Sequence, residues 1–128
     1  MPGYPGAGQS LVIGQGLQVY LFQNESVIVG ESSVGCLLSR IPGIFYPWGM
    51  SFDIAFSGDP GTFEIDVQTA DIDQDSHYVT ISSITTGALN AGNVGRIELP
   101  SFWARFTRVK VVSFANYATV TLTVLLTR

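Results

Sequence analysis

Charge is scarce in this sequence: Asp, Glu, Lys and Arg make up 12% of its 128 residues, and Lys110 is the single lysine. An average soluble domain carries about 25% charged residues. Hydrophobic residues reach 46%. A monomer in water must cover itself with polar groups, so this shortage predicts that some apolar surface is buried against another subunit or a large partner. It also predicts sheet edges with few lysines to repel other chains, edges that are either covered or paired with neighbours.

Basic charge is the scarcer sign. Six Lys and Arg face ten Asp and Glu, for a net charge of -4, which argues against nucleic acid, because phosphates require clustered cations. Arg105, Arg108 and Lys110 form one short basic run, read as a solvated strand face. The lone cysteine, Cys36 in VGCLL, has no partner for an internal disulfide and reads as a small buried hydrophobe. The lone histidine, His77, sits in an acidic turn with no motif tying it to Cys36. No nucleophile elbow is visible, and the GQG at 14–16 lacks the lysine and helix start of a phosphate loop. Asp66 with Asp71 or Glu64 could form a carboxylate pair, but alternating acids on a strand are ordinary solubility features. The expectation is a protein that is not an enzyme and uses no cofactor or metal. No apolar run is long enough to span a bilayer, and the first residues show no basic-then-apolar leader, so synthesis in the cytoplasm and no membrane partner are expected.

Helical periodicity is absent as well. Short apolar segments recur between Gly, Pro and Asn, the pattern of an all-β sandwich or barrel. The expected strands are 17–23, 26–30, 34–40, 49–57, 62–69, 77–84, 95–100, 102–114 and 118–127, which suit two packed sheets. Met50, Phe52, Ile54 and Phe56 on one strand, and Val120, Leu122, Val124 and Leu126 on the last, should form the core. SGDPG at 57–61 has the chemistry of a hairpin turn, and ANYA at 115–118 that of a turn before the final strand. Phe106 and Val109 both suit the core yet have opposite parity, which a bulge between Arg105 and Arg108 would reconcile. Residues 1–10, MPGYPGAGQS, read as an extended N-terminal arm; residues 11–128 form the single domain.

Asp71, Asp73 and Asp75 match the first three ligand positions of a calcium loop. The match fails beyond them: the turn glycine is Ser76 and the bidentate glutamate is Ser82. Phe63, Ile65 and Val67 alternate with Glu64, Asp66 and Gln68, and Val79 and Ile81 with Tyr78, Thr80 and Ser82, so the acidic segment is expected to join two antiparallel strands. The other conspicuous stretch is IPGIFYPWGM, a proline-broken loop whose Ile44, Phe45, Tyr46 and Trp48 no strand periodicity could bury. Such a loop serves an interface, or folds back over its own sandwich.

The segments GTFEIDVQTADIDQDSHYVTI and RIELPSFWARFTRVKV, with the Thr-rich last strand ATVTLTVLL, resemble the small β-sandwich cement, or decoration, proteins of tailed bacteriophage capsids. The resemblance implies a jelly-roll-like antiparallel β-sandwich, a homotrimer outside the shell, binding the major capsid protein at capsomer junctions as a structural part of the virion. No family motif carries over to single residues; Tyr4 in the arm and Ile44, Phe45, Tyr46 and Trp48 in the loop are the contact residues expected from the reading above. The alternatives are a carbohydrate-binding module, with Trp48 or Trp103 as a sugar platform and the Asp71 to Asp75 turn for calcium, or another virion part such as a tail or head-fibre protein.

Overall fold

A computed structural model describes residues 11–14, 16–38, 49–100 and 104–128. Alternation of side chains dictates the local structure. In β4 (Met50–Phe56) every second residue is buried, and β9 (Leu122–Thr127) repeats the pattern with Leu122, Val124 and Leu126. Seven further strands occur among the described residues: β1 (Leu11–Ile13), β2 (Gln18–Glu25), β3 (Cys36–Leu38), β5 (Phe63–Ala70), β6 (Val79–Thr85), β7 (Val94–Leu99) and β8 (Phe106–Phe114).

They form two sheets, one ordered β1-β3-β8-β5-β6 and the other β2-β9-β4-β7. Antiparallel pairing is nested: β2 lies beside β9, β3 beside β8, β4 beside β7 and β5 beside β6. A long hairpin rolled over on itself gives this order, the arrangement of a jelly roll. β1 adds in parallel to β3 at the edge of the larger sheet.

The core lies between the sheets. Phe22, Phe52, Ile54, Leu122, Val124 and Leu126 meet Phe63, Ile65, Val67, Val109, Val111 and Phe114, all buried. Each such side chain contributes roughly 1.5–3 kcal/mol on burial. Surface ion pairs such as Arg96–Asp53, on a side chain 58% exposed, contribute little beside this, because water screens them. Apolar burial therefore decides the fold. Val120 and both expected core rows are buried, as the periodicity requires.

Four local expectations fail for identifiable reasons. SVIVG forms no strand: Glu31 N–H donates to the Ile28 carbonyl, Gly30 takes a φ of 90°, and the chain turns from one sheet to the other, leaving Ile28 and Val29 exposed. SGDPG turns the chain as its residues dictate, with Gly61 N–H donating to Asp59 Oδ1 at 2.9 Å and Gly61 at a φ of 68°, but it is not a hairpin. It carries β4 of the smaller sheet into β5 of the larger, because turn chemistry reverses a chain without choosing its partner.

The bulge in β8 is at Val112 and not between Arg105 and Arg108. Pairing with β5 runs without a break from Ala70↔Phe106 to Ile65↔Val111, and the next pair is Glu64↔Ser113. Phe106 consequently faces outward, half-buried, with the Arg105 guanidinium 5.7 Å from its ring centroid. In β6 a register shift at Ile81, between Val67↔Ser82 and Gln68↔Thr80, breaks the expected alternation. Val79 and Ile81 are exposed, and Ile84 is the buried member of that strand.

Candidate functional site

The acidic segment does join two antiparallel strands, β5 and β6. Bends and a short 3-10 turn (Asp75–His77) carry it back over the outer face of the larger sheet. There Gln68, Ala70 and Arg108 have the parity of solvent-facing residues, opposite to Val67, Thr69 and Val109, yet all three are buried. Asp75 and Tyr78 of the loop lie over Arg108.

Arg108 is the centre of this arrangement. Its Nε donates to Gln68 Oε1 at 2.9 Å, its Nη1 to Asp75 Oδ1 at 2.5 Å, and its guanidinium lies 4.0 Å from the centroid of the Tyr78 ring. Tyr78 in turn donates its hydroxyl to Asp73 Oδ1 at 2.6 Å. Both groups settle on the bare backbone of Gly35, where a Cβ would collide with the Asp73 carboxylate and the Tyr78 hydroxyl. Three elements thus meet through side chains that no local motif links.

The electrostatics follow from the contacts. The Arg108 bond and charge hold Asp75 below the usual carboxylate range, with a smaller contribution from Lys110. Burial, then the bond to Asp73 and its charge, raise the Tyr78 phenol far above its ordinary value. Beside this cluster Asp66 accepts from Thr80 Oγ1 at 3.1 Å and Ser83 Oγ at 2.7 Å. Its hydrogen bond and charge raise neighbouring Glu64.

This geometry corrects the reading of the basic run: Arg105 is exposed and Lys110 half-buried, but Arg108 is no solvated strand residue. It also engages Asp73 and Asp75 within the protein, and among the described residues no group of three His, Cys, Asp or Glu is placed to hold a metal ion. Cys36 is fully buried, its thiol pushed up to about 12 by burial against the opposing charge of Arg128, while His77 is exposed. The two do not form a nucleophile and base.

Tyr4, Ile44, Phe45, Tyr46, Trp48 and Trp103 lie outside the described residues. The residues that flank their segments are informative. Leu38 N–H donates to the Arg105 carbonyl at 2.9 Å, and Met50 stands opposite Leu99. Nested pairing therefore roots both ends of 39–48 and both ends of 101–103 at one end of the sandwich. A groove of about 320 Å³ lined by Met50, Ser51, Glu98, Leu99 and Pro100 opens there. The aromatic density of IPGIFYPWGM was legible in sequence; that its roots share one end of the sandwich with those of SFW was not, since the two segments are far apart in the chain.

The fold defines a class: an all-β, single-domain sandwich of jelly-roll topology. No family model and no curated protein matches the chain.

Proposed function

We propose that this protein is a structural component of a larger assembly, a binder and not a catalyst, and specifically a cement or decoration protein on the outside of a bacteriophage capsid that stabilises capsomer junctions. A jelly roll by itself hosts many activities. The observation that carries the reading is the rooting of two aromatic-rich segments, 39–48 and 101–103, at one end of the sandwich. Aromatic residues are enriched at the centres of interfaces, where they supply large apolar area at small entropic cost. The low charge of the chain agrees, since a surface this short of polar groups is completed by neighbours.

In this reading the chain self-associates as a trimer and meets the major capsid protein through Phe45, Tyr46 and Trp48, with Ile44 and the arm residue Tyr4 at the margin. The virion exterior is its place of work. The test is co-sedimentation with capsid shells that lack the protein, comparing wild type with a Trp48→Ala variant that also lacks residues 1–9. Wild type pelleting with shells and raising their rupture temperature, with the variant left in the supernatant, supports the proposal. Equal pelleting of both, or of neither, rejects it.

A further inference from the structure

We propose that residues 71–78 form a strap latched across the outer face of the larger sheet, which acid releases while the sandwich stays folded. The latch is the contact between Asp75 and Arg108, and the seat is the Asp73–Tyr78 pair resting on Gly35. The strap adds no side chain to the core, and its backbone bonds, Gln74 to Ile72, His77 to Gln74 and Tyr78 to Asp75, are local. Lifting it leaves the β5 to β8 pairing and the buried row Val67, Val109 and Val111 untouched.

The two sides of the latch are unequal: the Arg108 side chain is 10% exposed and the Asp75 side chain 94%. Water already surrounds the carboxylate, so its release needs little resolvation. Arg108 is different. Once Asp75 is neutral, the buried guanidinium keeps Gln68 Oε1 and the Tyr78 ring but loses its counter-charge, and regaining water requires the strap to move. Lys110 on β8 has the same sign as Arg108, Asp66 on β5 stands opposite Lys110 and is bonded to Thr80 and Ser83, and Asp73 accepts from Tyr78. Asp71 and His77 are exposed on the strap, and Cys36 on β3 is buried on the core side of the sheet.

Asp75 has a folded pKa depressed below its unfolded value. Its contribution is therefore complete above about pH 4, the ordinary carboxylate value, and disappears as pH falls through the depressed folded value. Opening uncovers Arg108 and the notch at Gly35.

The experiment is amide and arginine Nε–H NMR of the ¹⁵N-labelled protein from about pH 7 to about pH 2.5, a range that brackets the ordinary carboxylate value, together with Asp75→Asn and Tyr78→Phe at neutral pH and an Asp71→Asn control. The expected result is that signals of residues 71–78 and the Arg108 Nε–H change together with a midpoint below about pH 4, while those of Val67, Val109, Val124 and Leu126 hold. Asp75→Asn should show the opened strap at neutral pH, Tyr78→Phe a loosened one, and Asp71→Asn no change. A strap unmoved at the acid end of the range, an Asp75→Asn spectrum matching wild type, or strap and core lost in one transition would overturn the proposal.

Discussion

Gly35 shows how much can rest on a missing side chain. Its backbone is the floor on which the Asp73 carboxylate and Tyr78 hydroxyl settle, and a methyl group there would meet both. Those groups are the ends of movable side chains, so Gly35→Ala should displace the strap at a cost of about 1 kcal/mol, the low end for overpacking. A denaturant titration would read this as a lowered midpoint with an unchanged slope. Tyr78 is sensitive to the opposite end of the pH scale from Asp75. Its folded pKa is raised, so its contribution is full below about pH 10, the ordinary phenol value, and is lost as pH climbs towards the folded value. Ultraviolet titration should show Tyr78 resisting ionisation at about pH 11, above the ordinary phenol value, while the protein is folded, and Tyr78→Phe should remove that resistant signal. The same logic applies to Cys36: a thiol raised to about 12 and fully buried should react with a disulfide reagent in mild alkali only when denaturant is added.

Strands behave as rows at the scale of elements. Ile54 is wholly buried and lies between β9 and β7, opposite Val124 and Gly95. Ile54→Asp places an unpaired charge there and should abolish cooperative thermal unfolding of the domain. Leu122→Ala should cost about 2–5 kcal/mol, the usual range for a buried leucine truncated to alanine, measured by the shift in denaturant midpoint. The edges of the sheets are blunted by means other than lysine. β1 is three residues long, β2 and β6 carry register shifts, and β7 presents Arg96 and Glu98 outward. These devices hinder strand-to-strand association between copies, so the assembly contacts proposed above are assigned to segments 39–48 and 101–103 and not to the sheet edges.

For the whole molecule the first quantity to measure is its mass in solution, by size-exclusion chromatography with light scattering over a concentration series. A mass three times that of the 13.8 kDa chain is expected, and a monomer at all concentrations would count against the trimeric cement reading. Calcium in millimolar amounts should leave the melting temperature unchanged, because Asp73 and Asp75 are already engaged by Tyr78 and Arg108. A rise would signal binding to the native state and favour the sugar-binding alternative.

Side-chain period was enough to determine the class of fold, since the rows Met50 to Phe56 and Val120 to Leu126 admit a half-buried strand and nothing else. Composition was enough to argue against phosphate binding, and the aromatic crowding in IPGIFYPWGM was visible without coordinates. Tertiary structure alone decided what touches what. Turn residues in SGDPG set a reversal but not the sheet that β5 joins, and the parity conflict of Phe106 and Val109 did not say that the extra residue is Val112. Arg108 looked like its neighbours Arg105 and Lys110 because its burial depends on Tyr78 and Asp75, which reach it from another element. Local pattern is carried by residues two apart, whereas the latch and the shared roots of 39–48 and 101–103 arise from pairings dozens of residues apart, which a periodicity of two does not encode.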